Sequence, residues 1–388
     1  MAHGLQIMQN CEAFAAHGVD VTLWLPRRAP IPGAEAEGDP WDYYEVERNF
    51  AIRWLPTLDL TRYVHGRQGL LARLIFYLGL GTFALSVVIA ALFTRADIYY
   101  SRDPAVLFIL SWIKPRKKLV YEAHRLNQPG MGERLQRAVL RRVGVTVAIN
   151  PPLRDRLAKR QAGGRHESRL MVAHDGIRRA RFETILDQDA ARQKAGWPED
   201  RFIVGYVGRL QTLGMAKGVD SVIDALAKLP QAAALGLVGG PDDIAASYRD
   251  YWRQQGLSDA DFLYAGHVPA GEVPLWLSAF DICVMPFPWT EHYAYYMSPI
   301  KLFEYLASGR ALIVTDLPSI ADVVQDGENA VVIPPSDPDA LAAAIEKLRN
   351  DSALRERLAA NARDWVMAHY TWEARTAAIL NFIGTVGA

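Results

Sequence analysis

Residues 201–226 read RFIVGYVGRLQTLGMAKGVDSVIDAL, and this stretch decides the fold class of the chain. A continuous apolar run ends at Gly208, a glycine-containing loop follows, and after Gly218 the apolar residues recur three or four positions apart. A continuous apolar run is typical of a strand buried on both faces, whereas the later spacing is typical of a helix. The stretch therefore predicts a strand, a loop and a helix, which begin a βαβ unit.

The same alternation of apolar runs and helical patterns occurs in both halves of the chain. The clearest apolar runs are VDVTLWLP, ADIYYSRD, KLVYEAH and VTVAIN in the first half and AALGLVGG, FDICVMPF, ALIVTDL and AVVIPP in the second. Such runs indicate parallel sheets covered by helices on both faces, and a length of 388 residues fits two domains. We therefore predict an α/β protein with two doubly wound parallel-sheet domains.

The predicted domains cover residues 1–180 and 181–370. A polar, turn-rich segment at about residues 178–200 separates the two series of apolar runs and is the expected hinge. Residues 371–388 predict a helix that returns to pack on the first domain. Two domains imply a cleft, which is a usual place for a ligand.

The composition excludes several classes of function. The chain holds 43 Lys and Arg residues against 43 Asp and Glu residues, so its formal net charge of +0 provides no general attraction to nucleic acid or to an anionic membrane. Cys11 and Cys283 are its two cysteines, and their separation fits neither a disulfide framework nor a zinc site. Residues 1–26 show no signal-peptide pattern, so we expect a cytoplasmic protein.

The chain opens with a helical pattern, whereas a parallel α/β domain normally opens with a strand that leads into its first helix. The first strand and its loop are therefore expected to be missing, because the start is placed late, the chain is trimmed, or the domain lacks them. His3 and Gly4 are what remains of that loop, and a glycine at a helix N-terminus allows a diphosphate to approach the backbone. The alternative for Gly4 is a chain terminus without a role.

Two cations flank the loop of the opening stretch. Arg209 follows the predicted strand and Lys217 precedes the predicted helix, so both lie at the carboxyl end of the sheet, where open α/β folds bind ligands. Two cations there can hold a diphosphate and stabilise the negative charge that develops when it leaves. The alternative is a pair of surface cations on a mobile loop. The string is neither G-x-G-x-x-G nor a P-loop, so dinucleotide and NTPase functions lack their motif.

A second candidate anion site lies in residues 298–309, which read SPIKLFEYLASG. Ser298 can cap a helix and Pro299 suits its first turn, which leaves backbone N–H groups free for a phosphate. Lys301 and Glu304 fall on the same side of that helix, which pairs a cation with a carboxylate able to accept bonds from a ribose diol. The pattern favours a nucleotide, and the alternative is an amphipathic helix with a surface ion pair.

Taken together, these motifs resemble family 4 glycosyltransferases of the GT-B fold. The resemblance implies two Rossmann-like domains facing across a cleft, a nucleotide-diphosphate sugar as donor, transfer with retention of anomeric configuration, and neither a metal nor another cofactor. A glycan or a lipid-linked saccharide is the expected acceptor. In chain order, the motifs that carry the resemblance are AHGLQIMQNCEAFAAHGVDVTLWLP, IYYSRDP, YEAH, VAHDGI, GYVGRL, KGVD, YAGHV, DICVMPF, SPIKLFEYLASGRALIVTDLP and DGENAVVIPPSDPDALAAAI.

The resemblance also implies roles for matching positions. Arg209 and Lys217 would bind the donor diphosphate, Glu304 the ribose, residues 266–268 the base, and His124 would act at the reacting sugar from the first domain. The predicted catalytic residues are His124, Arg209 and Lys217. The predicted donor-binding residues are Gly4, Arg209, Lys217, Gly266, His267, Val268, Ser298, Pro299, Ile300, Lys301, Leu302 and Glu304.

One position departs from the family motif. The motif often has a glutamate eight positions before the second one, and here that position is Tyr296. The replaced glutamate commonly touches the donor sugar, so the identity of that sugar is open; Glu291 or His292 can substitute by proximity. Two rival functions remain, a nucleotide-sugar-binding subunit without catalysis and a GT-B-like sugar-nucleotide epimerase. The epimerase needs a pair of acid and base carboxylates, which the motifs do not provide.

Two histidines and two D-x-D strings are further candidate site residues. His124 ends the apolar run KLVYEAH and so projects at a sheet edge, where it serves a sugar or simply caps the strand. His174 precedes the turn Asp175-Gly176 and is predicted to be structural. The D-x-D strings at residues 187–189 and 337–339 open helices, so capping explains them better than a metal site.

An uncharged segment raises the question of a membrane. Residues 74–93 carry no charge and are long enough to span a bilayer, but Gly79 and Gly81 interrupt them, so we predict two buried or partly exposed helices. A peripheral contact with an anionic membrane that presents a lipid-linked acceptor is the intermediate possibility, and a solvated basic face is its alternative. The basic residues concerned are Arg62, Arg67, Arg73, Arg134, Arg137 and Arg141.

Overall fold

The computed structural model of the chain describes residues 2–28, 39–60, 69–160, 167–184, 186–212 and 214–387. The chain divides into two compact units. Unit 1 comprises Met1–Ala173 and Arg375–Ala388, and unit 2 comprises His174–Ala374. The sequence placed the boundary between residues 180 and 181. The division falls earlier because Ile177 exchanges backbone hydrogen bonds with the other end of unit 2: its N–H donates to Tyr370 O at 3.0 Å, and its carbonyl accepts from Trp372 N at 3.0 Å.

Unit 1 is an α/β domain with parallel strands. Strands β3 to β6 form a four-stranded sheet in the order β3-β4-β5-β6, and β1 pairs with β2 in a separate parallel sheet. Its elements are α1 (Ala2–Ala16), β1 (Thr22–Pro26), α2 (Pro40–Tyr44), β2 (Ala51–Leu55), α3 (Leu70–Phe93), β3 (Tyr99–Ser101), α4 (Pro104–Leu110), β4 (Leu119–Ala123), α5 (Met131–Arg142), β5 (Val145–Ala148), α6 (Pro151–Arg160) and β6 (Leu170–Val172).

The two sheets of unit 1 are separate, and a ring contact joins β1 of one to β3 of the other. Among the described residues, β1 bonds to β2 alone and β3 bonds to β4 alone. The rings of Trp24 in β1 and Tyr99 in β3 nevertheless contact each other, with centroids 6.3 Å apart. The described chain begins with α1, as the helical pattern predicted, and the absence of a first strand stays a prediction.

Unit 2 is the second α/β domain. Its six-stranded parallel sheet has the order β11-β10-β7-β12-β13-β14, so the direction in which strands are added reverses between β7 and β12. The elements are α7 (Gln188–Ala195), β7 (Ile203–Val207), β8 (Gln211–Thr212), β9 (Met215–Ala216), α8 (Val219–Ala227), β10 (Ala234–Val238), α9 (Asp242–Gln254), β11 (Phe262–Gly266), α10 (Val273–Ala279), β12 (Ile282–Met285), α11 (Glu291–Tyr295), α12 (Ile300–Ala307), β13 (Ala311–Thr315), β14 (Val331–Ile333), α13 (Pro338–Asn350), α14 (Ser352–His369) and α15 (Trp372–Gly387).

The C-terminal helix α15 belongs to unit 1 from Arg375 onward. Ile379 is fully buried in the same apolar cluster as Val120 of β4 and Val145 and Val147 of β5. Burial of such side chains is worth about 1.5–3 kcal/mol each, so the helix is an integral part of the unit 1 core.

The uncharged segment forms one helix, so the prediction of two helices was wrong. Helix α3 runs without a break from Leu70 to Phe93, and by length and composition it could cross a membrane. Gly79 does not end the helix; a side chain there would lie 3.4 Å from the carbonyl oxygen of Leu58, so the glycine allows a neighbouring segment to approach. Arg62 and Arg67 lie outside the described residues.

Candidate functional site

The candidate site of unit 2 lies at the carboxyl ends of its central strands. Gly208 and Arg209 follow β7, and Pro286 and Phe287 follow β12, the two strands between which the strand order reverses. In open α/β sheets this reversal point opens a crevice for a ligand. The topology therefore brings the loops with the predicted cations to the expected edge of the sheet.

Lys301 contacts the end of strand β7. Its Nζ donates to Tyr206 Oη at 2.6 Å and lies 4.1 Å from the centroid of the Tyr206 ring. Gly208 has φ = +123°, and a Cβ there would lie 2.6 Å from Lys301 Nζ, so the lysine needs this glycine. Burial, and then the charge of Lys217, hold the pKa of Lys301 well below its ordinary value.

Lys217 is the second buried cation. Its Nζ lies 4.3 Å from the centroid of the Phe287 ring and 4.4 Å from that of Tyr293, which is a cation–π arrangement on two sides. The Tyr293 hydroxyl in turn donates to the carbonyls of Met215 and Ala216, at 3.3 and 3.2 Å. Burial lowers the pKa of Lys217 to about 8.

The two lysines contact one aromatic ring and form no ion pair among the described residues. Lys301 Nζ lies 5.5 Å from the centroid of Phe287, the ring that Lys217 contacts at 4.3 Å. In the described part of the chain, neither ammonium group has a carboxylate within 4.0 Å. Two neighbouring buried cations repel each other, and an anion with several charges relieves that repulsion. The arrangement is suited to a diphosphate.

Glu304 is close in sequence to Lys301, but the two do not form the surface ion pair of the alternative interpretation. Lys301 turns instead to the phenol of Tyr206, because that group accepts a hydrogen bond inside the domain. Burial raises the pKa of Glu304, and the charges of Arg181 and Lys301 oppose this only in part. Among the described residues, the Glu304 carboxylate has no hydrogen-bond donor, so it can accept one from a ligand.

The expected cap of the α12 helix was wrong. Pro299 holds the N-cap position and α12 starts at Ile300, without a side-chain cap. The Ser298 hydroxyl accepts from Asp175 N at 2.8 Å, and it lies 3.4 Å from His174 Nδ1. Ser298 therefore fixes the start of unit 2, and the first N–H groups of α12 receive no side-chain cap.

His174 has the surroundings of a structural residue, as its sequence context predicted. It is buried, and its Nε2 lies 2.8 Å from Asp322 Oδ2. Its ring contacts those of Phe303 and Tyr370 edge-on, at centroid distances of 6.1 and 5.8 Å. Both ring nitrogens are thus engaged within unit 2.

The remaining predicted positions of unit 2 are scattered around the same sheet edge. Arg209 and His267 are exposed, and Arg209 has no carboxylate partner within the described residues. Gly266 ends β11 with φ = +68°, and its carbonyl accepts from Gly239 N at 2.6 Å. Leu302 is fully buried in the core of unit 2, so its side chain serves packing.

In unit 1, Gly4 and Tyr44 contact each other closely. Gly4 lies inside α1, and the space that a side chain at this position would need is occupied by the Tyr44 hydroxyl. The glycine therefore has a packing reason within unit 1. Its proposed approach to a diphosphate stays a prediction.

His124 follows β4 and is held by a buried carboxylate. Its Nε2 lies 2.5 Å from Glu122 Oε1, and the other oxygen of Glu122 accepts from Arg375 Nη2 at 2.9 Å and from the Tyr100 hydroxyl. Burial alone would raise the pKa of Glu122, but Arg375, His124 and Arg102 outweigh it and hold that pKa well below its ordinary range. Glu122 therefore stays ionised and fixes the orientation of the His124 ring.

The position of the missing glutamate is occupied by a hydrogen-bonded tyrosine. Tyr296 follows α11, and its hydroxyl donates to Glu291 Oε1 at 3.3 Å. His292 lies near Lys217, since burial and then the charge of that lysine lower the pKa of His292. A neutral imidazole at this place can donate one hydrogen bond to a ligand.

Both D-x-D strings serve as helix caps. Asp187 accepts from the backbone N–H groups of Asp189 and Ala190 at the start of α7. Asp337 accepts from Ala340 N at 2.9 Å at the start of α13. The capping explanation therefore holds for both strings.

The sequence pattern does not single out the aromatic partners of the two lysines as site residues. Tyr206, Phe287 and Tyr293 stand in apolar or aromatic runs and read as ordinary core residues. The one available signal was position, because Tyr206 lies within β7 and Phe287 directly follows β12, at the edge where the cations were expected. Glu122 and Arg375 are 253 residues apart and carry no local signal of their pairing.

Fold comparison shows that the chain has the GT-B fold. HepE from Anabaena, in complex with UDP and glucose, superposes with a TM-score of 0.70 at 19% identity over 98% of this chain and 95% of that protein. Sucrose-phosphate synthase from Thermosynechococcus elongatus gives a TM-score of 0.72 at 19% identity over 98% and 92%. The predicted α/β fold with two Rossmann-like domains is confirmed.

Sequence comparison finds a family match within unit 2. Residues 201–351 match the family described as Glycosyl transferases group 1, so the resemblance noted in the sequence is confirmed. The chain is 26% identical over 243 residues to the alpha-D-kanosaminyltransferase of Streptomyces kanamyceticus. The aligned region covers 62% of this chain and 60% of that protein. It is 31% identical over 200 residues to a D-inositol 3-phosphate glycosyltransferase of Stackebrandtia nassauensis, over 48% and 42%. The chain spans about half the length of such curated relatives.

Proposed function

We propose that this chain is a retaining glycosyltransferase that moves a sugar from a nucleotide-diphosphate sugar to a glycan or a lipid-linked saccharide. The observation that carries the proposal is the pair Lys217 and Lys301 inside the segment that matches the family. Lys217 is buried, Lys301 is partly buried, and neither ammonium group has a carboxylate within 4.0 Å among the described residues. HepE, which shares the fold, binds UDP and UDP-glucose, and this supports a nucleotide-sugar donor here.

The proposed chemistry uses the lysines as a clamp on the leaving group. Lys217, Lys301 and the exposed Arg209 bind the diphosphate and stabilise the negative charge that grows on it as the glycosidic bond breaks. Glu304 accepts hydrogen bonds from the ribose hydroxyls, since its carboxylate has no donor of its own among the described residues. With cations in these places, the clamp needs no metal ion.

His124 is assigned to the reacting sugar on the basis of the family resemblance. Its ring is held by Glu122, so one face of the imidazole is oriented before substrate binds. Retention of configuration also rests on the resemblance. The rival function, nucleotide-sugar binding without catalysis, draws on Tyr296 in place of the usual glutamate, and turnover separates the two.

The donor is identified by a thermal-shift screen of UDP-, GDP-, ADP- and dTDP-sugars. A ligand that binds the folded state alone raises the melting temperature by mass action. The best donor is then incubated with saccharide acceptors, and proton NMR of the product reports the anomeric configuration. Binding without turnover for every acceptor would favour the binding subunit, and an inverted product would contradict retention.

Glu304→Gln is expected to reduce affinity for the nucleoside diphosphate about tenfold, because a neutral amide accepts weaker bonds from a ribose diol than a carboxylate does. Calorimetric titration of both proteins gives the two dissociation constants. Glu346→Gln, an exposed position of α13, is the matched control and should bind like the parent. Equal affinities in Glu304→Gln and the parent would leave Glu304 as an ordinary helix residue.

His124→Ala is expected to lower the transfer rate at saturating donor while donor affinity stays near the parental value. An interaction made mainly in the transition state changes kcat more than ground-state binding. The measurement is kcat beside donor affinity for the same variant, with the exposed His17→Ala as control. Parental turnover in His124→Ala would remove this residue from the site, and a variant that unfolds would indicate a strand-capping role.

Donor affinity is expected to fall as pH rises above 8. The free protein loses the Lys217 charge around its pKa of about 8, whereas a bound diphosphate raises that pKa, so affinity falls by up to tenfold per pH unit. The lowered pKa of Lys301 acts in the same direction. Titrations between pH 6.5 and 9.5 test this, and a flat profile would place the diphosphate away from both lysines.

A further inference from the structure

Helix α3 presents an apolar stripe on the outside of unit 1. Leu74, Leu78, Leu85, Ile89 and Leu92 follow one another at intervals of three, four or seven residues, which places them on one side of a helix. All five side chains are between 44% and 63% exposed. We call these five residues the α3 stripe, which extends for about 27 Å at 1.5 Å per residue. A single-file patch of this size is unusual on a surface that faces only water.

The C-terminal half of α3 packs on unit 1 with the side that lies away from the stripe. Ala84, Val87 and Ala91 are buried on the side away from the stripe. The Thr82 and Ser86 hydroxyls bond to the chain that follows β2: Thr82 Oγ1 accepts from Leu58 N at 3.1 Å, and Ser86 Oγ donates to a backbone carbonyl in the same stretch at 2.6 Å. The stripe is therefore the side of α3 that stays exposed along the length of the helix, whereas the opposite side is buried from Ala84 onward.

Cations accompany the stripe. Residues 104–142, which include α4 and α5, hold nine Lys and Arg residues against two glutamates. One glutamate, Glu122, is buried and paired, and the other, Glu133, bonds to Arg137 at 2.6 Å. Helix α4 packs against both α3 and α5, so this basic segment adjoins the stripe helix. The exposed arginines of α5 are Arg134, Arg137 and Arg141.

An exposed tryptophan completes the surface. Trp112, just after α4, is 69% exposed, and the Arg142 guanidinium stacks on its ring at 4.3 Å. Tryptophan and arginine are the residues that anchor proteins at the boundary between lipid headgroups and acyl chains. An apolar stripe, a tryptophan and a net positive neighbourhood complement an anionic bilayer better than they complement a soluble protein.

We infer that the α3 stripe inserts into one leaflet of an anionic membrane, with α3 parallel to the membrane plane. The in-plane orientation fits the fold, because the strands on either side of α3 in sequence, β2 and β3, belong to the same compact unit. A helix in the interface plane buries one apolar face while its other sides stay on the protein, as the contacts of α3 require. This inference does not rest on the proposed transferase activity.

Vesicle flotation of the full chain tests the inference. We expect the protein to float with vesicles of phosphatidylglycerol and phosphatidylcholine at low salt, at least tenfold more than with phosphatidylcholine alone, and to detach partly as salt rises. Leu85→Asp/Ile89→Asp should lower the bound fraction at least tenfold. Val19→Asp/Tyr43→Asp, two exposed apolar residues elsewhere in unit 1, should float like the parent.

The basic contribution is tested separately. Arg134→Glu/Arg141→Glu should weaken flotation at low salt, and Lys194→Glu/Lys347→Glu, the same charge change on exposed residues of unit 2, should not. No flotation of the parent, or equal flotation of the stripe variant, would overturn the inference. A parent that dimerises through the stripe on gel filtration, with loss of the dimer in Leu85→Asp/Ile89→Asp, would overturn it in favour of a second copy.

A label provides a readout that does not depend on a folded double variant. Leu85→Cys carrying an environment-sensitive fluorophore should shift its emission to the blue on addition of phosphatidylglycerol vesicles, and Lys194→Cys should not. Burial raises the pKa of the native Cys11 and Cys283 thiols to about 12, so the introduced cysteine reacts first. An unchanged emission at position 85 would mean that the stripe stays out of the lipid.

Discussion

Arg375→Met is expected to lower the free energy of unfolding of this protein by about 3–5 kcal/mol, the usual effect of removing one partner of a buried ion pair. Arg375 and Glu122 each have side chains 3% exposed and lie 2.9 Å apart, so the variant leaves a carboxylate inside unit 1 without its main counter-charge. Chemical denaturation followed by circular dichroism gives the difference. Asn381→Met, an exposed position on the same helix, is the matched control.

The pH dependence separates this mechanism from a packing defect. Loss of Arg375 removes the strongest influence that lowers the pKa of Glu122, so that pKa rises in the variant. At a pH below that pKa, Glu122 of the folded variant takes up a proton. The loss of stability relative to the parent should therefore shrink as pH falls from 7 toward 4. A deficit that stays constant over this range, or one below 1 kcal/mol at pH 7, would contradict the role given to the pair.

Lys217→Met is expected to weaken binding of the nucleoside diphosphate by about 1.5–3 kcal/mol, roughly 10- to 150-fold. The free protein should keep or gain stability, because the substitution removes a buried cation that has no carboxylate partner in the described chain. The measurements are a calorimetric titration and a melting temperature without ligand. Arg209→Ala is expected to lose affinity by a similar amount.

Lys194→Met is the control for Lys217→Met, since Lys194 is an exposed lysine of α7 in the same unit. It should bind the nucleotide as the parent does. If Lys217→Met and Arg209→Ala both matched the parent in affinity, the assignment of the diphosphate to this edge of the sheet would be wrong. A variant that loses affinity and stability together would indicate a structural role for Lys217 instead.

The sequence predicted the architecture because the responsible signals are local. Residues 201–226 predict β7, the loop and α8 from one apolar run and one helical spacing, and the sheet edge follows from parallel topology. The sequence therefore predicts Arg209 and Lys217 at the carboxyl end of the sheet and Lys301 on the helix that follows Ser298. The uncharged composition of α3 was also evident, but its exposure depends on which elements cover it, and composition does not encode that.

The errors concern contacts between distant residues. The spacing of Lys301 and Glu304 left a surface ion pair as the alternative interpretation, whereas the ammonium group bonds to Tyr206, 95 residues away. Ser298 was expected to cap α12 and instead bonds to the backbone of Asp175, 123 residues away. Local patterns give preferences of a few tenths to about 1 kcal/mol, which a single buried contact exceeds.

The central claim, that unit 2 binds a nucleotide-sugar donor through its diphosphate, is tested most directly by a crystal structure with the nucleoside diphosphate of the best donor. We expect diphosphate oxygens about 2.7–3.2 Å from Nζ of both Lys217 and Lys301, and a ribose hydroxyl that donates to the Glu304 carboxylate. A nucleotide bound elsewhere on the chain, or bound in unit 2 with both ammonium groups without an oxygen ligand, would contradict it.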